Sequence, residues 1–329
     1  MRVCIITPAP PKSRYGNRIT ALRWARILKK LGHRVRVEQE YDGGSYDLLI
    51  ALHARRSYDS IKQFNSEQAS APIIVALTGT DLYRDLHKSK QAQRSLEIAS
   101  RIVALQPKAL EEIRPNLRSK VRVIYQSVQI DSEQNSKSTS LAMATRSRNR
   151  DGFDVCVIGH LRKVKDPFRA AMAARMLPPS SRIRIIQVGG AMSEAMKTRA
   201  ENEAKKNPRY TWVGEKSRSR AFAILKQSRL CVISSVMEGG ANVLSEAIVA
   251  RVPVLATRIA GTVGILGEDY PGYFEVGDTG ELARLLARAE SEPKFLKDLQ
   301  RRLKKFAPLF DPAREESAWR NLLSELYCA

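Results

Sequence analysis

Ser234-Ser235-Val236-Met237-Glu238-Gly239-Gly240-Ala241-Asn242-Val243-Leu244-Ser245-Glu246-Ala247 joins an apolar strand to a helix through a turn of small residues and sets a carboxylate on either side of that turn. Residues 230–234 (LCVIS) read as a buried strand, and from Asn242 the apolar residues Val243, Leu244, Ala247 and Ile248 recur at helical spacing. Gly239 and Gly240 allow close backbone approach or a positive φ, so free amides at the start of the helix can face a phosphate or diphosphate. Glu246 stands about one turn into the helix and Glu238 precedes the glycines. Carboxylates inside an anion receptor must serve something other than the anion, and sugar hydroxyls suit them. Taken alone, the same residues also fit a surface turn with two solvated glutamates.

The rest of the second half repeats the strand-then-helix rhythm. Strands are expected at 153–158, 182–188, 210–213 and 254–256, and helices at 167–176, 194–206, 217–227 and 242–250. The first half reads the same way: strands at 2–7, 34–38, 46–52, 73–77, 101–104 and 121–124, and helices at 19–31, 57–68 and 90–99. Such alternation means crossover connections and a parallel sheet with ligand loops beyond the strand ends. The polar stretch 131–152 reads as a linker between a domain at 1–130 and one at 153–310. A last helix, within 311–329, is expected to return to the first domain.

The chain has 329 residues, enough for two domains with full cores. No apolar run approaches the roughly 20 residues that cross a bilayer. The opening MRVCIIT runs straight into a proline-rich turn and is too short for an export signal, which implies a cytoplasmic protein. Cys4, Cys156 and Cys231 lie in strand-like runs and Cys328 near the end, without the paired spacing of a zinc or redox site. A net charge of +22 calls for anionic partners. No nucleic-acid motif is present and the basic residues are scattered, which favours small anions over specific nucleic acid. Peripheral attraction to anionic lipid is compatible with the charge but not expected.

Gly159-His160-Leu161-Arg162-Lys163-Val164-Lys165-Asp166-Pro167 follows the first strand of the second domain. Arg162 and Lys165 there can reach an anion held at the Asn242 helix, or the segment is a solvated basic loop with Pro167 starting a helix. In the first domain Arg23 and Arg26 are expected on the solvent face of a helix that partly buries Leu22, Trp24 and Ile27. His53 is either a proton acceptor or a satisfied loop histidine.

Residues 159–167, the Glu238-x7-Glu246 spacing and Val252-Pro253-Val254 together resemble the nucleotide-sugar domain of the retaining family-4 glycosyltransferases. The resemblance implies the α/β GT-B glycosyltransferase fold, two facing Rossmann-like domains. It implies that Lys165 and Arg162 contact the donor diphosphate, Glu238 the donor sugar, Gly239, Gly240, Ala241, Asn242 and Val243 the sugar and phosphate through backbone amides, and Glu246 the ribose. Gly159, His160, Gly16 and Asn17 join the donor set, and Trp212 and Val213 lie beside the uracil. His160 stands where the family usually has arginine, and the first domain reads Leu77-Thr78-Gly79-Thr80-Asp81 where many members place a histidine.

The stretches MRVCIITPAPPKSRYGNRITALRWARIL, LHARRSYDSI, LTGTDLYRDL and GHLRKVKDPFRA resemble a narrower branch, the selenosugar synthases of selenoneine biosynthesis. That resemblance implies a UDP-N-acetylglucosamine donor, a selenophosphate acceptor, release of UDP and phosphate, and partner enzymes of the same pathway. No permanent cofactor is expected, and no metal, since the cationic side chains and the helix dipole can offset the diphosphate charge. A multiply charged acceptor needs cations, and Arg14, Arg18, Arg55 and Arg56 are expected to supply them, with Thr80 and Asp81 beside them and Asp81 orienting water or polarising the acceptor. Two other readings stay open: a retaining glycosyltransferase with a cell-envelope or lipid-linked acceptor, and a non-catalytic nucleotide-sugar or nucleic-acid binding protein.

Overall fold

Alternation along the first strand sets the layers of the first unit. Val3 and Ile5 pack with Trp24, Leu28 and Trp319 on one face of the sheet, while Cys4 and Ile6 pack with Tyr41, Phe64 and Leu96 on the other. The computed structural model describes residues 1–129 and 152–327. Apart from Gly152, the expected linker lies outside the described residues, as does Cys328.

Strands β1 (Arg2–Ile6), β2 (Arg34–Glu38), β3 (Leu48–Leu52), β4 (Ile73–Ala76), β5 (Arg101–Ala104) and β6 (Val121–Val123) form one parallel sheet in the order β2-β1-β3-β4-β5-β6. β3 and β4 are wholly buried, as the continuous apolar runs LLIAL and IIVA require. A second parallel sheet holds β7 (Phe153–Ile158), β8 (Ile183–Val188), β9 (Tyr210–Trp212), β10 (Leu230–Ile233), β11 (Val254–Thr257) and β12 (Tyr273–Phe274), in the order β12-β11-β10-β7-β8-β9. Strand order reverses beside β1 in the first sheet and beside β7 in the second, and each reversal opens a crevice at the C-terminal strand ends. The two sheets differ in order: the second follows the dinucleotide-binding arrangement and the first the flavodoxin one.

By contacts the chain divides into one unit of Met1–Ser127, Met237–Asn242 and Leu309–Ala329 and another of Val128–Val236 and Val243–Pro308. The turn Met237–Asn242 groups with the first unit because it packs there. A β-carbon on Gly239 would fall 2.5 Å from the Thr78 carbonyl, and one on Gly240 2.7 Å from Leu105.

Most element edges fall within a residue or two of the sequence reading, but the first helix is Gly16–Lys30, so Gly16, Asn17 and Arg18 lie in its first turn and not in a loop. Its phase also corrects an expectation. Arg23 is 3% exposed and Leu22 is 43% exposed. The final helix, Pro312–Tyr327, covers the Arg23 side of the first helix, and Trp24 and Trp319 meet edge to face at 4.9 Å. The buried Glu315 carboxylate accepts from Trp24 Nε1 at 2.8 Å and from the Ser127 amide at 2.8 Å, and lies 3.4 Å from Arg23 Nε. A partner distant in sequence thus pairs with a guanidinium that helical periodicity alone assigns to solvent.

Candidate active site

In the second unit the loops after β7 and β10 form the switch-point crevice, and hydrogen bonds to backbone carbonyls tie them together. The Val236 amide donates to the Val164 carbonyl at 2.9 Å, and Ser234 Oγ donates to the carbonyls of Asp166 at 2.8 Å and Lys165 at 3.2 Å. Asp166 closes the short 3-10 turn Lys163–Lys165 with φ 41°. The Lys165 stem runs over Gly159, where an added β-carbon would meet its Cδ at 3.8 Å. Gly189 (φ 148°) backs so closely on Gly159 that a β-carbon would fall 2.0 Å from the Gly159 carbonyl oxygen, so no other residue fits. The same carbonyl accepts from Gln187 Nε2 at 3.2 Å, and Trp212 Nε1 donates to the Gly189 carbonyl at 2.8 Å. Val213 follows β9, its amide bonded to the Gln187 carbonyl. His160 and Glu215 both border Gly190, while Arg162 is exposed.

Helix Asn242–Ala250 carries Val243 and Glu246. Glu246, its side chain 13% exposed, accepts from Arg218 Nε at 3.2 Å. Arg218 opens the helix Arg218–Gln227, and sequence reasoning missed it. Its only signal there is a position just after the strand 210–213 that the resemblance sets beside the uracil. Glu215 and Gln187 were missed for the same reason: their relation to Gly190 and Gly159 exists only across neighbouring strands.

In the first unit Glu238 is half-buried on the turn that carries Gly239, Gly240, Ala241 and Asn242. Gly16 stands beside the Asn242 side chain, an added β-carbon meeting its Nδ2 at 4.0 Å. Next to Gly16 and Asn17 is Arg18, whose Nε and Nη1 are buried and have no hydrogen-bond partner among the described residues. Arg14 is exposed.

The loops after β3 and β4 gather Arg55, Arg56, Thr80 and Asp81. Arg55 Nε pairs with Asp85 Oδ2 at 3.0 Å, so its charge is partly engaged, and Arg56 is exposed. Asp81 requires a correction. It is fully buried, with Oδ1 accepting from the Thr78 and Gly79 amides at 2.9 Å each and Oδ2 from the Ala54 amide at 3.1 Å. Fully buried and bonded to the backbone of both loops, the carboxylate fixes those loops and does not face solvent, where orienting water or polarising an acceptor would need it. Among the described residues no group of three His, Cys, Asp or Glu side chains is placed to hold a metal, and no helix is long and apolar enough to cross a membrane.

Two doubly wound parallel domains, the second with a cationic loop and a carboxylate-bearing helix at its switch point, constitute the GT-B fold of glycosyltransferases. Residues 142–308, about half of the chain, match the family of glycosyl transferases group 1, and the chain belongs to that family. Over 304 residues it is 24% identical to glycosyltransferase 1 domain-containing protein 1 of Xenopus tropicalis, covering 88% of this chain and 86% of the relative. Among solved structures it is similar to sucrose-phosphate synthase from Thermosynechococcus elongatus, with a TM-score of 0.78 and 15% identity over 99% of each chain. It is also similar to Anabaena HepE in complex with UDP, with a TM-score of 0.75 and 16% identity over 98% of this chain and 99% of that one. The enzyme is a glycosyltransferase.

Proposed function

We propose that this glycosyltransferase moves N-acetylglucosamine from UDP-N-acetylglucosamine to the selenium of selenophosphate. The observation that carries the anionic acceptor is Arg18: two buried guanidinium nitrogens without a partner call for an oxyanion, because a buried unpaired donor loses its hydration with no return. The stretches resembling selenosugar synthases give selenophosphate as that anion. The UDP-sugar donor is supported by the Glu238-x7-Glu246 spacing and by HepE, which has been crystallised with UDP and with UDP-glucose.

In this reading Glu246, steadied by Arg218, accepts from the ribose hydroxyls, and Glu238 accepts from the sugar hydroxyls. Charge develops on the departing diphosphate, and Lys165, Arg162 and the amides opening the Asn242–Ala250 helix offset it. Selenium attacks C1 as the bond from C1 to the UDP oxygen breaks, with retention at C1. Water then cleaves the P–Se bond, so the products are the selenosugar, UDP and phosphate.

Mass spectrometry of an anaerobic reaction with both substrates tests the proposal. A selenium-bearing sugar with stoichiometric UDP is expected. UDP release with alcohol or lipid-linked acceptors, and no selenosugar, would replace the selenium assignment with a cell-envelope one.

A further inference from the structure

Beside Arg55 and Arg56 lies a side-chain pair with no part yet in the proposed reaction. His53 immediately follows β3, is 3% exposed and holds φ 78°, a left-handed conformation uncommon outside glycine. After β4 the chain turns at Gly79 (φ 135°) and continues as a single π-helical turn, Asp81–Asp85. Such turns are rare and concentrate at functional sites. These two irregular segments bring His53 Nε2 within 3.2 Å of Thr80 Oγ1.

The bonds around the ring set a direction. Nδ1 accepts from the Arg56 amide at 3.3 Å, so the ring proton sits on Nε2 and is donated to Thr80 Oγ1. The Thr80 hydroxyl then keeps its own proton for a partner other than His53. Thr80 is half-buried, and among the described residues its hydroxyl has no second partner. Four residues back lies strand β4, so no carbonyl of a preceding helical turn takes the proton.

Burial lowers the pKa of His53; Asp81 and Asp85 act against that and Arg56 with it. Asp85, 3.8 Å from Nε2, is in turn paired with Arg55 and Arg84. The ring is therefore neutral at neutral pH, the state its acceptor role at Nδ1 requires.

We propose that His53 is a positioning residue that presents the Thr80 hydroxyl as a hydrogen-bond donor to a phosphate-type oxyanion. The inference rests on the anionic-acceptor reading above and assigns the acceptor site a neutral donor alongside its arginines.

Inorganic thiophosphate is the probe, titrated by calorimetry into the full chain with UDP present, alongside steady-state assays with UDP-N-acetylglucosamine and selenophosphate. Thr80→Val and His53→Asn are each expected to weaken thiophosphate binding and to raise the acceptor KM about tenfold, with the donor KM unchanged and Thr80→Ser behaving as the parent. Asparagine tolerates the left-handed backbone and its Oδ1 can replace Nδ1 opposite the Arg56 amide, so only the Nε2 donor is lost. As pH falls below the ordinary histidine range, protonation turns Nδ1 into a donor facing the Arg56 amide, and kcat/KM for the acceptor falls. Relative to the parent, His53→Asn should lack that component, the acceptor's own titration being common to both.

Parental thiophosphate binding in both Thr80→Val and His53→Asn overturns the inference even where the parent makes selenosugar. Equal rises in donor and acceptor KM also overturn it, since they mark a structural role. Thr80-dependent thiophosphate binding without consumption of selenophosphate supports the inference and removes the selenium assignment. A parent that fails to bind thiophosphate overturns both.

Discussion

Glu246, largely covered, and Glu315, fully buried, are both carboxylates held by distant partners, yet only the first is visible in the sequence. Glu246 stands in a spacing that announces it, whereas Glu315 sits in an ordinary amphipathic helix and acquires meaning from Trp24, Ser127 and Arg23. Arg218 belongs with Glu315 in this respect, since nothing near it in the sequence points to position 246. In the proposed donor site Glu246→Ala removes the acceptor for two ribose hydroxyls, and UDP affinity should fall about tenfold or more by calorimetry. Arg218→Ala leaves the carboxylate in place and should fall by less, because its pair is partly solvent-exposed and screened. Unchanged UDP affinity in Glu246→Ala would remove the residue from the nucleotide site.

At the scale of elements, strands and helices were read well where a buried strand is a continuous apolar run and where proline or glycine marks an end. Helix Asn242–Ala250 matches its expected bounds, with apolar Leu244, Ala247 and Ile248 buried. The π-helical turn Asp81–Asp85 is not legible in the sequence, and neither are the amides from two different loops that its first residue, Asp81, accepts from. The glycine turn illustrates the same division. The sequence showed that close approach was allowed at Gly239, and the fold supplies what approaches, the Thr78–Gly79 backbone. Gly239→Ala should therefore push the turn off that backbone and reduce kcat at least about tenfold, while urea unfolding changes little because the turn is not part of either sheet. Full activity in this variant would show that the contact is dispensable.

For the whole molecule the +22 charge is the dominant long-range feature. Many cations are paired locally, as with Arg169 and Asp166 or Arg122 and Glu325, so the remaining field acts chiefly on the encounter with anionic substrates. Raising NaCl from about 50 to about 300 mM should raise KM for both proposed substrates several-fold, with kcat changing less, since the Debye length shrinks below the distances over which steering operates. A KM independent of salt would assign the charge to something other than substrate capture.

The doubly wound α/β class, the tandem arrangement of strand and helix, and the carboxylate-glycine-carboxylate segment are legible along the chain, because hydrophobic period, turn residues and short spacings are local properties. Which carboxylates are available for chemistry is settled by folding. Asp81 and Glu315 look alike along the chain, and whether a buried carboxylate is engaged by backbone amides or by a tryptophan and an arginine depends on groups that only folding brings within hydrogen-bond distance.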